Sequence, residues 1–220
     1  MERKTRIPTQ KRALEKYDKI LDAAYKLFNE KGYYNTTTAD ISKEANVATG
    51  SVYAYFEDKK EIYIKVIERL NKKITYPVQD FWLENKDTQF DNAIVSKELF
   101  KEFIKMMIGY HDFSKIFHDE MEALTLLDPD IAAIRNENSK LRREKIEDIF
   151  KSLSIPFKGE EEKNIYFYYS FFLIDDVCHK IVFDNDVKDL DLYIDKCVNM
   201  LYYLLQDCSN YQVKLDSGGV

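Results

Sequence analysis

The stretch from Thr37 to Phe56, TTADISKEANVATGSVYAYF, constrains this chain more than any other part of it. Its apolar positions allow only two very short helices joined by a tight turn. Ile41, Ala45 and Val47 give the first a narrow apolar seam, with Thr37 or Thr38 as its N-cap. Asn46 falls where that helix must stop and the chain reverse, a place that wants a residue tolerant of positive φ. Thr49, Gly50 and Ser51 open the second helix. Val52 and Phe56, four apart, turn inward, which leaves Tyr53, Ala54 and Tyr55 partly outward. Helices this short do not persist alone, because nucleation is costly and few hydrogen bonds follow it. They must be clamped onto longer neighbours. A rigidly held second helix rich in small and hydroxyl side chains has the geometry that enters a DNA major groove.

The residues of this stretch also fall in register with a longer pattern, T-x-x-x-I-A-x-x-A-G-V-S-x-G-T-[LV]-Y-x-[HY]-F-x-x-K-x-x-L. Thr37, Ile41, Ala45, Val47, Gly50, Ser51 (for Thr), Val52, Tyr53, Tyr55, Phe56, Lys59 and Ile62 match it without a gap. On these residues the chain resembles the TetR family of bacterial transcriptional regulators. Two departures from the pattern matter. Asn46 replaces the usual Gly, which its tolerance of a left-handed backbone allows. Ala48 replaces the usual Ser and removes one hydroxyl, a role Thr49 takes over in part. The resemblance implies an all-α fold in two parts. Residues 12–74 would form a three-helix DNA-binding domain with a helix-turn-helix, and residues 75–208 a larger helical domain for ligand binding and dimerisation. The expected DNA contacts are Thr37, Thr38, Ala48, Thr49, Gly50, Ser51, Tyr53, Ala54, Tyr55 and Lys59.

The net charge of −6 looks wrong for a DNA binder until it is divided along the chain. Residues 1–75 hold 16 Lys and Arg against 11 Asp and Glu, whereas the remainder holds 17 against 28. The basic excess therefore sits with the helix-turn-helix, and is densest at Arg3, Lys4, Arg6, Lys11 and Arg12, a cluster suited to phosphates. Six Gly and four Pro in 220 residues leave few turns and favour a helical protein. No apolar run approaches the roughly 18 residues of a membrane span, so no membrane role is expected. Cys178, Cys197 and Cys208 have no metal-ligand spacing and are odd in number, which suits a reducing cytoplasm.

Apolar periodicity parses the chain into about nine helices. Tyr17, Ile20, Ala24, Leu27 and Phe28 line a first long helix that Gly32 ends. Asp58 caps another running toward Pro77, where a stop or kink is expected. Later helices follow around Leu99–Tyr110, from Phe113 to Leu127, and from Asp128-Pro129 toward Pro156. The segment from Ile165 to Ile181 is apolar or aromatic almost all round, so it must be covered on more than one side. One face carries Phe167, Ile174, Val177 and Ile181; the nearly opposite one carries Ile165, Tyr168, Tyr169 and Phe172. With the last helix, Leu192–Leu205, it resembles the pair that joins two subunits of the family through a four-helix bundle. The expected dimer interface is Phe167, Ile174, Val177, Ile181, Leu201 and Leu205.

Aromatic and Met side chains crowd the stretch from Phe103 to Met121. They point to an apolar effector cavity lined by Phe103, Met106, Met107, Tyr110, Phe113, Phe117 and Met121, facing Tyr169 and Phe172. Such a lining suits a lipophilic or aromatic molecule. No catalytic motif is present: there is no Gly-rich phosphate loop, H-E-x-x-H or nucleophile elbow. His111 and His118, seven apart, would lie about 10.5 Å apart on one helix, too far to share a metal. Asp176 and His179 read as a solvated pair, so neither a metal nor a cofactor is expected. The chain thus reads as a ligand-responsive DNA-binding regulator, a repressor acting as a homodimer on a palindromic operator. The alternative is a helical metal-dependent enzyme or protein-binding adaptor with a vestigial helix-turn-helix.

Overall fold

The computed structural model describes residues 8–85, 97–152, 154–184 and 186–210. The N-terminal arm before Pro8, much of the less regular stretch after Phe81, and the tail carrying Tyr211 and Val213 lie outside them. The described residues form nine α-helices: α1 Lys11–Lys31, α2 Thr38–Glu44, α3 Thr49–Val52, α4 Lys59–Asn85, α5 Lys97–Tyr110, α6 Lys115–Leu127, α7 Pro129–Ser152, α8 Glu160–Phe183 and α9 Leu190–Cys208. Among the described residues the only β pairing is an isolated bridge between Phe157 and Ser209. The fold is all-α.

Two compact units divide the chain, and they do so differently from the expected break near residue 74. The first contains residues 1–73 together with 113–139, and the second contains 74–112 and 140–220. The reason is where the apolar side chains of α6 and early α7 go. Phe117, Leu124 and Ile131 are buried with Ile20, Phe28, Val52 and Tyr63 in the core of the first unit. Ile146, Ile149 and Phe150, farther along α7, are buried in the core of the second. Leu141, placed by its spacing on the apolar face of α7, is exposed. Pro77 lies inside α4 rather than at its end. A single proline removes one ladder hydrogen bond, which a helix of this length survives.

In the first unit α1 stops at Gly32, whose φ of 85° only glycine adopts without strain. The turn is also a docking point. Glu120 on α6 accepts a hydrogen bond from the Tyr33 backbone N–H. Its carboxylate fills the space where a Cβ on Gly32 would stand, 2.5–2.7 Å from that position. Ser114, the N-cap of α6, adds two further links, donating from its hydroxyl to the Asn29 carbonyl (2.8 Å) and from its N–H to the Asn29 side chain (2.6 Å). In the second unit α5, α8 and α9 pack on one another around Leu99, Ile104, Phe167, Cys178, Val198 and Leu201.

Replacing Gly32 by Ala strains the backbone and pushes Glu120 from its seat at once. The expected loss is about 1–3 kcal/mol of stability in urea unfolding. A loss within a few tenths of zero would contradict this account of the turn.

Candidate functional site

The two short helices are held by small local devices. Thr37 caps α2: its hydroxyl accepts from the Asp40 N–H (3.1 Å), and the Asp40 carboxylate accepts from the Thr37 N–H (2.9 Å), a reciprocal capping box. At the other end the Asn46 N–H bonds the Lys43 carbonyl (3.1 Å) and the Val47 N–H the Ser42 carbonyl (3.0 Å). With Asn46 at φ 52°, this is a Schellman stop built on asparagine in place of glycine. Ile41 and Val52 are fully buried and Phe56 nearly so, which fastens both helices to α1 and α4.

Hydroxyls tie the two helices to each other. Thr38 Oγ1 meets Tyr53 Oη at 2.9 Å, and Ser42 Oγ meets Thr49 Oγ1 at 3.1 Å. Tyr55 packs edge-on against Tyr17, with ring centroids 6.0 Å apart. What remains outward on α3 and its approach is a row of small groups: Ala48, Thr49 and Gly50 are exposed, and Ser51, Tyr53 and Ala54 half-buried. An added Cβ on Gly50 would meet nothing within 4 Å. Sequence reasoning missed the inter-helix role of Ser42, whose signal was a hydroxyl on an otherwise apolar seam.

Lys59, expected on phosphates, is turned inward. Its ammonium donates to the Tyr33 carbonyl (2.6 Å) and lies 4.1 Å from the centre of the Tyr33 ring, and burial lowers its pKa. It braces the turn after α1 instead.

The second unit holds a narrow apolar cavity of about 70 Å³. That is little more than the liquid volume of two waters. Its walls come from α5 (Phe100, Phe103, Met107), α7 (Ile146, Phe150) and α8 (Phe167, Phe171, Ile174), with Arg142, His111 and Asp175 also reaching it. Tyr166 and Ser170 also line it, and their buried hydroxyls interact only weakly, with each other. Of the expected pocket residues, Phe103 and Met107 line this cavity, and Met106 packs on the same core. The others do not. Phe117 is buried in the core of the first unit with Phe113 and Met121 packed on it, and Tyr110 is half-buried without lining the cavity. Tyr169 and Phe172 point to solvent, 49% and 63% exposed.

The structure places the residues expected at the dimer interface largely within the subunit. Phe167, Val177, Leu201 and Leu205 are buried in the subunit's own core, and Ile174 and Ile181 pack against it. Ile165, Tyr168, Tyr169 and Phe172 are the exposed residues of α8, and Leu192, Tyr193, Met200 and Tyr203 of α9 are exposed as well. Cys178 and Cys197 are buried, and burial pushes both thiols up to about 12, so they remain protonated packing groups. The structure also brings together a trio of side chains that sequence spacing did not pair. His111, Asp175 and His179 bring one ligand atom each within 4.8 Å of one another, a set the pairing of Asp176 with His179 overlooked.

The family profile described as bacterial regulatory proteins, tetR family, matches residues 20–66, the segment holding α2, the turn and α3. Over that segment the chain is similar to the TetR family of regulators. The biofilm operon negative transcriptional regulator IcaR of Staphylococcus epidermidis is 42% identical over 84 residues, which are 38% of this chain and 43% of that one. The fatty acid metabolism regulator protein of Bacillus subtilis is 32% identical over 138 residues, 62% of this chain and 61% of that one. These alignments span less than two thirds of either relative. Among solved structures, a TetR-family regulator of Mesorhizobium loti superposes with a TM-score of 0.72 at 16% identity, over 89% of this chain and 98% of that one. FadR of Bacillus subtilis, solved with stearoyl-CoA, superposes at 0.58 with 21% identity, over 84% of this chain and 97% of that one. At these identities the likeness is one of fold.

The capping box at Thr37 and Asp40 makes stability depend on pH. Hydrogen bonds from Thr37, side chain first and backbone next, and then Lys31, hold the Asp40 carboxyl down at about 2. A lowered carboxylate contributes stability above its unfolded pKa of about 4 and loses it as pH falls through its folded value. The stability gap between the wild type and Asp40→Asn should therefore be level above about pH 5 and shrink between roughly pH 4 and 2. A gap independent of pH would remove the carboxylate from this role.

Proposed function

We propose that this protein is a ligand-responsive transcriptional regulator of the repressor type. It binds a palindromic operator duplex as a homodimer in the cytoplasm, and a small lipophilic or aromatic effector releases it. One observation carries the reading: the exposed row of Ala48, Thr49 and Gly50 on a helix locked from behind by Thr38–Tyr53 and Ser42–Thr49. Side chains this small let a backbone approach base edges and phosphates closely. The basic excess of residues 1–75 supports the same reading, as do the named relatives, which are transcriptional regulators. Nothing among them favours an enzyme or adaptor.

The cavity supports the effector. The buried hydroxyls of Tyr166 and Ser170 meet only each other, and weakly, so both keep capacity for a polar group. A largely apolar ligand carrying one such group would satisfy both the walls and the hydroxyls. The fatty acid regulator among the relatives, and the stearoyl-CoA in one solved structure, support an acyl chain as the ligand class. A ligand of that size needs Met107 and Phe171 to swing aside, and it weakens operator binding only to the extent that it prefers the non-binding state. The exposed apolar residues of α8 and α9 support the dimer, since apolar surface of this kind marks an interface.

Two outcomes test this reading. Gly50→Glu adds a charged side chain where the fold leaves room. It should leave the melting temperature within a degree or so and weaken operator binding by tenfold or more, read by mobility shift. Equal affinity in the two proteins would take α3 away from the DNA. Phe172→Asp should give a monomer by light scattering, because an unpaired charge is costly in a dry interface. An intact dimer would place the interface elsewhere.

A further inference from the structure

The C-terminal end of α5 meets the middle of α8 at a cluster of three side chains with metal-binding atoms. His111 Nε2 lies 4.0 Å from Asp175 Oδ1, and His179 Nδ1 lies 3.7 Å from Asp175 Oδ2. The two imidazoles meet edge to face, their centres 5.0 Å apart. Asp175 and His179 are four apart on α8 and so share one face of it. We propose that His111, Asp175 and His179 form a binding site for one divalent transition-metal ion of the zinc class.

Three features support the assignment. The first is ligand type, since two imidazoles and one carboxylate match a common zinc donor set and leave a fourth position open. The second is orientation. His111 is buried, and its Nδ1 stands 2.7 Å from the Met107 carbonyl. A carbonyl only accepts, so in the neutral ring that metal binding requires, Nδ1 carries the proton and the lone pair is on Nε2, which faces Asp175. A backbone carbonyl on the far nitrogen is the usual partner of a metal-bound histidine. The third is reach. Ligands about 2.0–2.1 Å from a tetrahedral zinc stand about 3.4 Å from each other. With one atom from each residue the set lies within 4.8 Å, and the exposure of Asp175 (63%) and His179 (25%) leaves both side chains room to turn toward an ion beside the buried His111. His111 and Asp175 also line the cavity, so the open position is available to water or to an anionic group of a cavity ligand. The site stands independently of the regulatory reading.

Full-length protein stripped with a chelator should bind one Zn²⁺ per chain by calorimetry and melt at a higher temperature with the ion present. Asp175→Asn and His179→Gln, both at accessible positions, should each weaken that binding at least tenfold and abolish the rise in melting temperature. Co²⁺ bound to the wild type should give visible bands of nitrogen and oxygen ligands without a thiolate charge-transfer band. Zinc affinity within threefold of wild type in both variants would overturn the proposal. So would a thiolate band, or no binding at submillimolar zinc. The Co²⁺ spectrum decides the matter even where a variant folds poorly.

Discussion

Two helices of seven and four residues cannot hold their shape by their own hydrogen bonds, and the rest of the N-terminal unit is arranged around that fact. Their stability is borrowed from tertiary contacts: Ile41, Val52 and Phe56 sink into a core made by α1, α4 and α6. Their ends are closed by a capping box and a Schellman stop, and their facing sides by two hydroxyl pairs. Each contact is individually worth little, of the order of a kcal/mol. Together they fix the direction in which Thr49 and Gly50 look. The outward side is then free to consist of small residues, because nothing on it has to hold the fold.

The second unit is governed by α8, which is apolar on nearly every side. Tyr166, Phe167, Val177 and Cys178 face inward and are buried, while Tyr168, Tyr169 and Phe172 stay largely exposed. The inward side packs short of completion, leaving a narrow space bordered by the hydroxyls of Tyr166 and Ser170 and by His111 and Asp175. A helix so placed contributes to both an inner cavity and an outward apolar stripe.

Much of this was legible in the sequence, for local reasons. The turn at Asn46, the caps at Thr37 and Asp58, the end of α1 at Gly32 and the inward turn of Val52 and Phe56 depend on residues within a few positions of each other. What was not legible depends on distant partners. Nothing near Gly32 announces that Glu120 will dock there, and so the packing of α6 with the first helices was not foreseen. The rotation of α8 could not be read because both of its faces are apolar, and the choice between them is made by α5, α7 and α9. The pocket inherited that error: Tyr169 and Phe172 were placed inside and Tyr166, Phe167 and Ser170 overlooked. Lys59 fitted a family position, yet its aliphatic stem and a nearby carbonyl turned it inward. The histidine cluster needed the end of α5 to be set against α8, which no spacing within either helix reveals.

The central claim is that a pair of α3 helices, presented by two copies of this chain, reads duplex DNA. Selection of bound duplexes from a randomised pool by the full-length protein, followed by footprinting of the enriched sequences, tests it most directly. The account predicts an inverted repeat whose two half-sites are protected on successive major grooves, with spacing that follows the helical repeat of DNA. Enrichment of a single unpaired half-site, or no enrichment above non-specific binding, would contradict it.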